Sequence, residues 1–259
     1  MHTLSRLLVL LAHLLAACGA NAEGSLFKVP TRDGVVTTLF WETAPNAQAT
    51  VLLFPGGDGG FGKLENGKAT SSNFLVRSTP LFLVNGFNVA IFGRPTDTTA
   101  LGWADRTEAN HMTDIAKVLA FVKQKSSLPV WIVGTSRGTV SATAMAIKVR
   151  DPAIAGLVLT SSVVRMATPG AVPSQDLKAI QIPVLVYHHA QDACTHCKPS
   201  DTPLIIAKLT NAPIKKLMLV DGGSRPSGDA CGSQHWHGFV GMEPQAIHQI
   251  ANWIKNPIH

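Results

Sequence analysis

Six short, uninterrupted apolar runs, Val51–Phe54, Asn88–Phe92, Val130–Val133, Leu157–Thr160, Val184–Tyr187 and Leu217–Val220, recur along the chain with helical patterns between them. A strand covered on both faces has no solvent side to alternate with, so it reads as a continuous apolar run. Strands that alternate with helices are joined by crossovers and therefore run parallel. The pattern predicts an α/β fold, a mostly parallel, doubly wound sheet flanked by helices. Ahead of it, Ser25–Val29 and Val35–Trp41 flank the turn-rich segment Pro30-Thr31-Arg32-Asp33-Gly34 and predict a hairpin at a sheet edge.

Three helices are expected. Arg106–Lys125 carries Met112, Ile115, Leu119 and Val122 at helical spacing, with Asp114, Lys117 and Lys123 directed elsewhere. Thr139–Arg150 offers Ala142, Ala144 and Ala146, small enough for close approach to a sheet, and Pro244–Ile254 offers Ile247, Ile250 and Ile254. With 259 residues, 46% of them hydrophobic and 15% charged, the chain has the bulk for one substantial core. No repeat, low-complexity tract or linker divides it, so residues 23–259 are expected to form a single domain. The Pro- and Gly-containing segment Ser161–Ile182 reads as an insertion over the sheet, too short for a separate lid domain.

The first 22 residues read differently. Arg6 precedes the apolar stretch Leu7–Ala17, which is too short to span a bilayer and has the form of a signal peptide. Leu15-Ala16-Ala17-Cys18 resembles a bacterial lipobox, which would lipidate Cys18 and anchor the protein to a membrane; Ala20-Asn21-Ala22 offers ordinary cleavage instead. The lipobox is the favoured reading. It predicts export to the periplasm, where disulfides form. The formal charge of +6 falls to +5 once residues 1–17, with Arg6, are removed. Lys and Arg are scattered and form no basic run, so the charge describes a solvated surface and not a nucleic-acid site.

Chemistry gathers where strands end. Gly134-Thr135-Ser136-Arg137-Gly138 follows the run Val130–Val133 and opens a helix. A bare G-x-S-x-G arises by chance in on the order of one chain in ten of this length, so its placement at a strand-to-helix turn carries the argument. A nucleophile on such a turn has strained backbone angles, and the flanking glycines let strand and helix approach. A serine hydroxyl needs a base, and the base needs an acid to orient it. Asp192 lies five residues past Tyr187, on the carboxyl edge where ligand loops gather in open α/β sheets. His237 precedes Gly238 and Phe239 in the loop between the last strand and the last helix, with His235 as its rival. His188, His189 and His196 read as polar loop residues. Pro55-Gly56-Gly57-Asp58-Gly59-Gly60 follows the first apolar run and can present backbone donors to an oxyanion, Gly57 first and Asp58 next, with the Arg137 N–H as the second donor. Neither G-x-x-x-x-G-K-[ST] nor G-x-G-x-x-G is present, which removes the usual nucleotide loops.

Cys194 stands two residues after Asp192 and Cys231 six before His237. A bridge between them would tie the acid loop to the base loop, leaving Cys197 over. A Cys194/Cys197 redox pair and a zinc site made of Cys194, Cys197, Cys231 and His235 are the competing uses of these residues.

With these residues in place, the chain from Val35 to Ile254 resembles the α/β-hydrolase superfamily: PGG after the first long strand, GTSRG at the elbow, an Asp loop, and HGF before the last helix. It departs from many members in having Pro55 where they carry His. The resemblance implies Ser136 as nucleophile, Asp192 as acid, His237 as base, and Gly57 with Arg137 as oxyanion donors. The expected function is hydrolysis of an ester or related acyl bond in a small-molecule substrate, with no cofactor and no metal. Two other classes compete: a non-catalytic exported binding protein on the same scaffold, and a redox or metal-binding lipoprotein built on the cysteines. Trp236, beside His237, is a candidate for a substrate wall.

Overall fold

The computed structural model describes residues 23–259; the expected leader, its two cleavage sites and Cys18 lie outside the described residues. The chain forms a sheet of eight strands: β1 (Ser25–Arg32), β2 (Val35–Glu42), β3 (Ala49–Phe54), β4 (Phe87–Pro95), β5 (Val130–Thr135), β6 (Ile154–Thr160), β7 (Val184–His189) and β8 (Lys215–Val220). Their order across the sheet is β1-β2-β4-β3-β5-β6-β7-β8. The β1/β2 and β2/β4 pairs are antiparallel and every other pair is parallel. All six apolar runs are strands. The predicted hairpin is β1 and β2, closed by Asp33 and Gly34, with Gly34 at a φ of 69°.

The strands alternate sides even where both sides are covered. Leu52 and Phe54 of β3 and Ile132 of β5 join a core packed beneath α3 (Ala109–Lys125) and α4 (Gly138–Lys148). Val51, Leu53 and Val133 face the opposite core, built with α1 (Phe74–Arg77), α2 (Thr79–Val84) and α6 (Glu243–Lys255). Both faces are buried, so no polar residue is needed between them, and the run reads as unbroken. The helix α3 buries Met112, Ile115, Val118, Leu119 and Val122 as its spacing requires, but starts at Ala109. Arg106 lies before it, in a single 3₁₀ turn over Asp105–Thr107.

One expectation is corrected. Leu217–Val220 is not buried on both faces: β8 pairs with β7 alone, and Leu219 is 51% exposed, because the edge strand has solvent where a central one has a neighbour. The segment Ser161–Ile182, expected as an insertion over the sheet, packs closely against it. It makes 3₁₀ turns at Val172–Ser174 and Leu177–Ala179 and sinks Val164, Val172, Leu177 and Ile180 into the core beside α4. A short helix, α5 (Pro203–Lys208), separates β7 from β8. Among the described residues, no helix is long and apolar enough to cross a membrane.

Candidate active site

β5 ends at Thr135 and α4 begins at Gly138, so Ser136 occupies the turn between them, at a φ of 51°. That left-handed angle is costly for a residue with a side chain. It is held from both sides: the Ser136 N–H donates to the Thr160 carbonyl at 3.1 Å, and the Ser136 carbonyl accepts from Thr139, through N–H at 2.9 Å and hydroxyl at 2.7 Å. The two glycines of the motif meet the expected steric need. A Cβ on Gly134 would stand 2.8 Å from the Ala142 side chain, and one on Gly138 would collide with the Phe54 carbonyl. As the first residues around a helix start, Arg137 and Gly138 have N–H groups with no intrahelical acceptor.

Asp192 follows β7 and is 4% exposed. Its Oδ1 accepts the Cys194 N–H at 2.9 Å and its Oδ2 accepts Nδ1–H of His237 at 2.9 Å. With Nδ1 donating, the lone pair of His237 sits on Nε2, which is buried and makes no hydrogen bond. Ser136 and His237 line one cavity of about 330 Å³, together with Gly56, Gly57, Ser72 and Asn73. No hydrogen bond joins the two side chains; such contacts commonly tighten when substrate enters.

The loop bearing His237 is fixed at several points. The Ser161 hydroxyl donates to the His237 carbonyl at 2.7 Å. Arg77 of α1 donates to the Gly238 carbonyl at 2.6 Å and pairs with Glu243 at 2.9 Å. Cys194 and Cys231 form a disulfide with Cα atoms 4.5 Å apart, joining this loop to that of Asp192. Cys197 is free and buried, and burial pushes its thiol well above the usual range, which keeps it protonated and unreactive at neutral pH. Its sulfur lies within 4.8 Å of the Cys194 sulfur and a His237 ring nitrogen. The redox and zinc readings of this cluster both required Cys194 as a thiolate, and it is spent in the disulfide.

The glycine loop after β3 folds back as a turn, the Gly59 N–H donating to the Gly56 carbonyl at 3.1 Å. Gly56 passes so close to the elbow that a Cβ there would stand 2.8 Å from the Ser136 Cβ. Behind the loop, Arg106 is 1% exposed and donates to the Gly57 carbonyl at 2.9 Å and to the Ser141 hydroxyl at 3.1 Å. Burial, and then the charge of Arg137, pull its guanidinium pKa down to about 9. The Arg137 side chain turns outward, over the Trp103 ring at 4.5 Å and 3.2 Å from Asp58.

Ser136, Asp192, His237, Gly57 and Arg137 are thus brought together at the carboxyl edge of the sheet. His235 is not: it precedes the 3₁₀ turn, and the Asp192 carboxylate bonds His237 instead. The reading of His188 and His189 as loop residues is corrected. Both belong to β7 and are fully buried, since the strand runs two residues past its apolar stretch. Neither ring nitrogen of His188 has a partner, and burial lowers its pKa to about 4. Trp236 stacks on His189 at 4.9 Å and is not part of the cavity wall. Sequence reasoning missed Arg77, Ser161 and Arg106, single polar residues with no motif around them.

No family model matches the chain, and no curated protein matches it. Solved structures do. An esterase from Pyrococcus furiosus superposes with a TM-score of 0.64 at 13% identity, covering 90% of each chain. A monoglyceride lipase from Saccharomyces cerevisiae gives 0.64 at 12%, covering 93% of this chain and 97% of the other. A serine hydrolase without a lid from Xanthomonas campestris gives 0.59 at 14%, covering 88% and 95%. The fold is that of the α/β hydrolases, without a large lid domain.

Proposed function

We propose that the chain is a serine hydrolase that cleaves carboxylic esters through Ser136, His237 and Asp192. One observation carries this reading: the buried Asp192–His237 pair leaves Nε2 without a hydrogen-bond partner, and His237 lines the same cavity as Ser136 on its strained turn. Nε2 takes the hydroxyl proton as the Ser136 oxygen bonds to the ester carbonyl carbon, and Asp192 stabilises the imidazolium without accepting the proton. The tetrahedral oxyanion lies between the N–H groups of Gly57 and Arg137. Its collapse breaks the bond to the alcohol, which leaves with the proton returned by His237. Water then repeats the two steps on the acyl-enzyme, releasing the acid and freeing Ser136.

The cavity supports short acyl groups. Beside Ser136 and His237, its wall is mostly glycine backbone and small or polar side chains, among them Asp58, Ser72, Asn73 and Ser233, and the one large apolar side chain, Phe74, is 1% exposed. Burial of apolar surface contributes roughly 25 cal/mol per Å², and this wall returns little of it to a long chain. A fluorophosphonate probe should label the protein and fail to label Ser136→Ala; a folded wild type that resists the probe would sink the hydrolase reading in favour of a binding protein. Among p-nitrophenyl esters, kcat/KM should be highest for acetyl to butyryl and fall by octanoyl; a maximum at octanoyl or beyond would refute the short-acyl assignment.

A further inference from the structure

We infer that Arg106 is a positioning residue for catalysis, fixing the Gly57–Asp58 peptide and with it the conformation of Gly57, whose N–H is presented to the oxyanion; this rests on the proposed role of Ser136. Gly57 sits at a φ of 56°, and a Cβ built on it would meet nothing within 4 Å. As a glycine it has open rotational freedom, and a donor that swings is a poor oxyanion ligand, since the benefit of such groups lies in being oriented beforehand.

Two hydrogen bonds supply the missing restraint, one on each peptide flanking Gly57. The Gly56–Gly57 peptide, which carries the Gly57 N–H, is held by the Gly59 N–H on the Gly56 carbonyl at 3.1 Å. The Gly57–Asp58 peptide is held by Arg106 Nη2 on the Gly57 carbonyl at 2.9 Å. Because each peptide is planar, fixing one atom of the plane on either side of Gly57 leaves its φ and ψ little room.

Arg106 is itself built in. Nη1 donates to the buried Ser141 hydroxyl on α4 at 3.1 Å, and that hydroxyl also bonds His111 Nε2 at 2.9 Å. Among the described residues, no carboxylate lies within ion-pair distance of Arg106, although other arginines of the chain, Arg32 and Arg77, have such partners. A buried guanidinium without a counter-ion is costly to the fold. The carbonyl it grips belongs to the oxyanion loop, and α4, which anchors it, begins at the elbow.

The test compares wild type with Arg106→Met, Arg106→Lys and Ser141→Ala, measuring kcat and KM on p-nitrophenyl acetate, fluorophosphonate labelling rate and Tm. Loss of one direct oxyanion donor typically costs roughly 100- to 1,000-fold in kcat, so loosening that donor should cost about tenfold or more. Arg106→Met is expected to lower kcat and labelling rate together by about that factor with KM within about twofold, and Arg106→Lys to recover part of the loss. If Arg106→Met does not fold, Ser141→Ala should show the same split at about threefold. Folded variants that keep wild-type kcat, or lose activity only through KM, would overturn the inference. Failure of the wild type to label would instead remove the nucleophile reading on which it rests.

Discussion

At the residue scale, the site sits among histidines held neutral. Burial lowers the pKa of His188 to about 4 and, with help from Arg106 and Arg32, that of His111 to about 3. Above the ordinary value of 6.5 both are neutral in the folded and unfolded chain, and their contribution is constant. As pH falls below 6.5, the unfolded chain binds protons that the folded one refuses, so stability declines until the folded pKa is passed. His188 alone accounts for a loss on the order of 3 kcal/mol over that window. Thermal melts from pH 7.5 to 4 should show Tm falling steadily below 6.5, and His188→Leu should flatten part of the decline. Equal slopes in the two proteins would contradict the assignment. Ser136 was legible from its glycines because the strain of its turn dictates its neighbours. Arg106 was not, because what makes it matter is a carbonyl 49 residues away in sequence.

At the scale of elements, strands were read well where burial was symmetric and poorly where it was not. β3 and β5 are covered on both faces and wrote themselves as apolar runs; β8, at the edge, carries a similar run with half the cover. β7 continues through His188 and His189 because tertiary packing accommodates polar side chains that local sequence assigns to a loop. The disulfide was anticipated from the placement of Cys194 and Cys231 beside Asp192 and His237. It closes 37 residues, worth about 4 kcal/mol on the chain-entropy model. Cys194→Ala/Cys231→Ala should therefore melt well below wild type and lose activity before it unfolds, as its two loops part. A double variant with unchanged Tm and activity would show that the bonds from Ser161 and Arg77 suffice. In native wild type, alkylation should spare Cys197 and modify it only after denaturation, as peptide mass mapping will show.

For the whole molecule, the leader remains a proposal argued from sequence: residues 1–22 direct export, and Cys18 carries a lipid. The expected result is a protein that partitions with membranes until detergent is added, and a Cys18→Ser variant that does not. A wild type recovered wholly in the soluble fraction would remove the anchor. The described fold is indifferent to that outcome, since none of its helices spans a bilayer and its site opens on a lidless edge of the sheet.

The bridge between Cys194 and Cys231 also bears on when the molecule becomes competent. It forms only where thiols are oxidised, and until then the carboxylate and the imidazole ride on loops that no covalent bond holds in register. A newly made chain still on the reducing side of a membrane would carry every residue of its site and yet be a slow catalyst. If residues 1–22 direct export as proposed, crossing the membrane would switch on the proposed hydrolase only on the far side.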